Sequence, residues 1–184
     1  MNIIETGLKG LIIIEPRVFN DSRGYFFESY NQERFTESGI EFRPVQDNES
    51  KSTRGVIRGL HYQLNPQAQS KLIRVVQGRI FDVALDIRKG SPTFGKWFGI
   101  ELDSETKKQL FIPRGFAHGF SVLSETAVIQ YKCDNVYNPQ LERGINLNDP
   151  VINIDWKLNN LPPVISDKDL RNPAFERAEY NFNY

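Results

Sequence analysis

The chain has 184 residues, the size of one ordinary domain, which buries a sizeable core without metal or disulfide staples. Lysine plus arginine and aspartate plus glutamate each number 23, so the formal net charge is zero and no polybasic run offers a surface for nucleic acid. At 39% hydrophobic and 25% charged, with no apolar run near the ~20 residues of a membrane helix, the chain reads as a soluble single domain over residues 1–184 rather than a membrane protein.

The opening MNIIETGLKG carries Glu5 and no cationic start before an apolar stretch, so no secretory signal is read there and the cytoplasm is the expected compartment. Strands are expected at 10–17 (GLIIIEPR) and 24–30 (GYFFESY). A short helix is expected over 31–39 (NQERFTESG), with Asn31 capping its first turn and Gly39 ending it. Further strands follow at 55–63 (GVIRGLHYQ), 71–77 (KLIRVVQ), 79–88 (RIFDVALDIR), 96–102, 108–112, 117–123 and 126–133, separated by turn-rich breaks such as KGSPTFG and IPRG. In RIFDVALDIR, Phe81, Val83, Leu85 and Ile87 share one face and Asp82, Ala84 and Asp86 the other, the pattern of a half-buried strand. From Trp156 onward the chain reads as loop, with Pro162, Pro163 and Pro173. Many short strands with little helix point to an all-β barrel or double-sheet jelly roll.

No G-x-G-x-x-G, P-loop or G-x-S-x-G motif is present, so phosphate cradles of the usual kind and serine hydrolase chemistry are not expected. Cys133 is the only cysteine, which excludes an intramolecular disulfide and a thiolate-rich zinc site. Only two histidines are available. His118 lies in IPRGFAHGF, whose P-x-G-x-x-H resembles the second half-motif of cupin barrels. Metal-binding cupins pair it with an H-x-H on an earlier strand, but here that position reads His61-Tyr62-Gln63. Two imidazoles and an amide make a poor ligand set for a catalytic divalent ion, so no metal centre is expected. A core histidine satisfied by one hydrogen bond is the plain alternative for His61. Against it, its neighbours along the strand offer no obvious partner, whereas Lys71, Tyr131 and the acids of SDKD at 166–169 are the groups a proton-transfer site needs.

Five segments in register, EPRVFNDSRGYFFESYNQERF, VQDNESKSTRGVIRGLHYQ, KLIRVVQGRIFDVALDIRKGSPTFGKW, IPRGFAHGFSVLSETAVIQYKC and ISDKDLRNP, resemble the dTDP-4-dehydrorhamnose 3,5-epimerase family from about Glu15 to Pro173. The resemblance implies an all-β, cupin-like jelly roll (double-stranded β-helix) with short helices and a loop-rich C-terminal tail. It also implies a homodimer acting on a dTDP-sugar, with no cofactor, no metal, and neither nucleic acid nor membrane as partner. His61 would be the base, Asp169 would orient it, Tyr131 would donate the proton, and Lys71, helped by His118, would steady the enolate oxygen. Nucleotide contacts would fall on Arg23, Glu28, Gln46, Asp47, Asn48, Arg58, Glu142 and Lys168. Tyr137 would stack on the thymine, and Phe19 would reach a site across the dimer. The rival readings are an epimerase inverting C3 alone or a ketoisomerase on the same nucleotide sugar, a metal-dependent cupin oxygenase, and a sugar-nucleotide-binding module.

Overall fold

The computed structural model describes all residues 1–184. Thirteen strands run in the order β1 (Asn2–Glu5), β2 (Ile12–Glu15), β3 (Val18–Asp21), β4 (Gly24–Phe27), then helix α1 (Gln32–Glu37), β5 (Gln46–Thr53), β6 (Ile57–Gln63), β7 (Lys71–Gln77) and β8 (Arg79–Asp86). They continue with β9 (Trp97–Asp103), β10 (Gln109–Ile112), β11 (Phe116–Val122), β12 (Thr126–Cys133), β13 (Glu142–Gly144) and a single helical turn, α2 (Asp167–Leu170). A six-stranded sheet, β1-β2-β10-β7-β12-β5, faces a five-stranded one, β13-β6-β11-β8-β9, and β3 and β4 form a separate hairpin. This is the expected cupin-like jelly roll. No helix is long and apolar enough to cross a membrane.

Each face of the two sheets is covered, which gives three apolar layers. Between the sheets, Ile73, Val75, Ile80, Ala84, Leu110, Phe120 and Ile129 form the barrel interior. Outside the six-stranded sheet, Ile12, Ile14, Leu72 and Phe111 pack under Phe35 of α1, Ile40 and Phe42. Outside the five-stranded sheet, Leu60, Tyr62, Phe81, Val83 and Leu85 pack against Ile145, Leu147 and Ile152 and against Trp156, Phe175 and Phe182 of the tail. Each such side chain taken fully out of water contributes roughly 1.5–3 kcal/mol.

The tail therefore alters two expectations. It is not simply loop: pinned at Val164, whose carbonyl accepts from Ile57 N at 3.0 Å, and at Pro173, whose carbonyl accepts from Asn146 N at 2.8 Å, it holds α2 against β6. It also makes β8 a fully buried strand rather than a half-buried one, because the apolar face meets the tail while Asp82, Ala84 and Asp86 turn into the barrel. The alternation was read correctly; what covers each face was decided elsewhere in the chain.

Candidate active site

On β6, Ile57, Leu60 and Tyr62, with Leu64 just beyond the strand, belong to the outer layer, which turns His61 inward. Strict alternation would send Arg58 outward. A bulge prevents this: Arg58 pairs with Phe120 and His61 with His118, so three steps on β6 oppose two on β11. Gly59 makes the bulge possible, since its φ is +140° and a Cβ there would stand 2.6 Å from the Gly119 Cα. Arg58 and His61 thus share the interior side, and Arg58 Nε donates to Ser52 Oγ at 3.0 Å.

His61 Nε2 lies 2.6 Å from Asp169 Oδ1, with side-chain exposures of 31% and 4%. An ionised carboxylate accepts only, so Nε2 carries the proton and Nδ1 keeps a free lone pair. Ser166 caps the α2 turn by accepting from Asp169 N at 3.1 Å. Burial works against ionisation of Asp169, but the His61 hydrogen bond and charge, the Gly59 amide and Ser166 outweigh it and hold the carboxyl below its ordinary value of 3.8.

A second pair sits directly opposite in register. His118 Nε2 lies 3.0 and 3.1 Å from the two oxygens of Asp82, with side-chain exposures of 9% and 0% for the histidine and the aspartate. Asp82 was not singled out in the sequence reading, although an acid inside the apolar run RIFDVALD is a signal of a buried polar contact.

Across the barrel, the inner face of the six-stranded sheet presents Lys71, Tyr131 and Cys133, with Cys133 paired to Lys71 and Tyr131 to Ile73. Lys71 Nζ stands 6.0 Å from the centre of the Tyr131 ring. Burial raises the Tyr131 phenol above 10.0, so near neutrality it is a proton donor. Burial lowers Lys71 below 10.5, against opposing effects from Cys133, Asp82 and Glu142.

At the mouth, Glu142 Oε2 accepts from Tyr137 Oη at 2.7 Å and from Lys168 Nζ at 2.6 Å. Burial would raise the Glu142 carboxyl, but these two bonds and the charges of Lys168 and His61 keep it below 4.5. The Tyr137 amide donates to Gln46 Oε1 at 2.8 Å, and the Gln46 amide donates to Asn48 Oδ1 at 3.0 Å. Gln63, at the second position of the would-be H-x-H, is spent on the loop: its amide donates to Gln67 O and Val136 O and accepts from Asn138 N. A cleft of about 180 Å³ is lined by His61, Glu142, Lys168, Asn172 and Pro173 among others. A second cavity of about 220 Å³ touches Asn48 and Tyr131 and is otherwise lined by Arg74, Gln130, Lys132 and neighbours, so it holds the phenol but neither histidine, while the first holds His61 but not Tyr131.

Four expected contacts do not face the barrel interior within one chain. Asp47 points away from Gln46 and Asn48, since successive strand residues face opposite sides, and it pairs with Lys132 at 2.8 Å. Arg23 pairs with Asp21 at 2.6 Å on the exposed β3–β4 hairpin. Phe19 lies on the same hairpin, with the Arg17 guanidinium 4.7 Å from its ring centre. Glu28 is engaged by Arg34 at 3.2 Å beside α1.

A sequence profile described as dTDP-4-dehydrorhamnose 3,5-epimerase matches residues 5–177. The chain is 55% identical over 181 residues to the dTDP-4-dehydrorhamnose 3,5-epimerase of Shigella flexneri, covering 98% of this chain and 99% of that one. The crystal structure of the enzyme of that name from Elizabethkingia anophelis superposes with a TM-score of 0.91 at 52% identity, covering 96% of this chain and 97% of the other. A 3,5-epimerase from Legionella pneumophila, solved in complex with dTDP-4-keto-L-rhamnose, superposes with a TM-score of 0.92 at 49% identity, covering 96% and 93%. Two opposed His–Asp pairs, a facing lysine and phenol, and a match along nearly the whole chain lead to one conclusion: the chain belongs to the dTDP-4-dehydrorhamnose 3,5-epimerase family.

Proposed function

We propose that this chain converts dTDP-4-dehydro-6-deoxy-D-glucose to dTDP-4-dehydro-L-rhamnose by inverting C3 and C5, as an isomerase needing no cofactor. The C4 ketone acidifies the C–H bonds at both neighbouring carbons. His61 Nδ1 takes the proton, its imidazolium held by Asp169, and the electron pair moves onto the ketone oxygen as an enolate. The Lys71 ammonium, with His118 beside it, stabilises that oxygen. The Tyr131 hydroxyl donates its proton to the opposite face of the same carbon; solvent then takes the proton from the His61 imidazolium and returns one to the Tyr131 phenolate, and the cycle repeats at the second carbon. No electrons are gained or lost overall.

The observation that carries this reading is the His61–Asp169 contact at 2.6 Å, on the sheet facing the one that holds Tyr131 and Lys71. Arg58, Gln46, Asn48, Tyr137, Glu142 and Lys168 are assigned to the nucleotide end. The reading makes the enzyme a homodimer, because Phe19, Arg23 and Glu28 reach a nucleotide only from a partner chain. The exposed Phe19, Tyr25 and Phe26 of the hairpin favour that arrangement.

Incubation with the ketosugar nucleotide in D₂O, followed by NMR at C3 and C5, tests the proposal. Deuterium at both carbons with formation of the L-sugar is expected. Exchange at C3 alone would convert the assignment to single inversion, and exchange at neither would leave only binding.

A further inference from the structure

The charges turned into the barrel do not pair off locally. Of the inward acids on β8, Asp86 is taken by Arg88 at 2.7 Å, with Ser91 and Thr93 also donating to it. Asp82 is fully buried, and its only hydrogen-bond partner is the His118 ring. On the opposite sheet, the Lys71 ammonium forms no hydrogen bond and lies within 4.0 Å of no carboxylate, while every other acid near it is spent: Glu142 holds Lys168 and Tyr137. An isolated charge of either sign in a desolvated interior is costly, and two of opposite sign in one barrel relieve each other.

We propose that Asp82 is a positioning residue for the reaction: a buried counter-charge that keeps Lys71 cationic where the enolate forms, with the His118 imidazole as the polar bridge between them. This rests on the epimerase reading above. The His118 ring suits the part, since Nε2–H satisfies Asp82 and leaves Nδ1 as the ring's remaining polar atom for the lysine. The groups surrounding the lysine narrow its source of compensation. Tyr131 and Cys133 face it from β12, and burial pushes both up, the thiol to about 11, so neither carries charge near neutrality. Of Glu142 on β13 and Asp82 on β8, only Asp82 has no lysine or arginine bonded to it.

The experiment compares pH profiles of kcat and KM for the wild type, Asp82→Asn, Lys71→Arg and the double variant. In the wild type the alkaline limb should fall below the ordinary lysine value of 10.5. Asp82→Asn should move it lower by on the order of one pH unit, reducing kcat at alkaline pH with little change in KM. In the Lys71→Arg background the guanidinium does not discharge, so the limb should retreat to that of the Tyr131 phenol, above 10.0, and Asp82→Asn should move it little further. An unshifted limb in Asp82→Asn, or an equal shift in both backgrounds, overturns the inference. Direct NMR titration of the Lys71 side chain keeps this independent of turnover: a wild type that never epimerises sinks the epimerase reading, whereas an Asp82→Asn that leaves the lysine titration in place sinks this one. If Asp82→Asn does not fold alone, adding it to Lys71→Met should cost little further thermal stability, and additive losses would overturn the pairing.

Discussion

Two histidine–aspartate pairs stand opposite one another on β6 and β11, each joined through Nε2, yet their surroundings assign them different work. His61 is nearly a third exposed at a cleft, and its acid arrives on a helical turn of the tail, so one ring nitrogen is fixed and the other is open to a substrate. His118 is buried, with the Phe120 ring beside it, and its acid belongs to the adjacent strand, so it is not placed at the opening as His61 is. In the proposed mechanism the same dyad is a base at the rim and a bridge in the wall, and access is what separates them.

The sharpest way to break this contrast is to remove each imidazole. His61→Ala should abolish deuterium exchange at both carbons, a loss on the order of 10⁴-fold in kcat, while His118→Ala should cost roughly 10- to 100-fold. Equal losses would dissolve the distinction. Asp169→Asn places an amide against Nε2 and favours the wrong tautomer, so kcat should fall about 10²-fold or more while KM holds. Tyr131→Phe should depress epimer formation more than initial proton loss, seen as exchange that outlives product; parallel losses would take the donor role from Tyr131.

Gly59→Ala tests the bulge that sets the two histidines in register. A Cβ would meet backbone at 2.6 Å in a conformation L residues avoid, so a loss of at least about 1–3 kcal/mol is expected in chemical unfolding. A neutral result would show that the strands part easily. The smallest effect is acid dependence. Because the Asp169 carboxyl is held below 3.8 in the folded chain, its stabilisation is present above that value and is lost only as pH falls beneath it. The stability gap between wild type and Asp169→Asn should therefore persist through mildly acidic pH and close below about pH 3.8, as thermal melts across that range would read.

Residues 71–77 and 126–133 emerge as strands at the bounds read from their alternation, because each has one apolar face on the barrel interior. The helix read over 31–39 forms as Gln32–Glu37, with Asn31 Oδ1 accepting from Arg34 N at 3.2 Å. β5, QDNESKST, escaped the reading. It is a polar edge strand held by backbone pairing to β12 alone, so no hydrophobic period marks it. The same strand explains why Asp47 turns to Lys132 while Gln46 and Asn48 share the other side: three consecutive positions cannot all face one way.

By itself the sequence determined the all-β class and the two strands that carry Lys71 and Tyr131, and its resemblance to a family pointed to His61, Glu142 and Lys168, which the fold brings to one cleft. Only the tertiary structure decided that Arg58 and His61 share a side, that an acid 108 residues away meets His61, and that Asp82 lies beneath His118. The physical reason is that periodicity records which faces of a strand differ, whereas a bulge, a pinned tail and a buried counter-charge depend on what distant segments place against those faces.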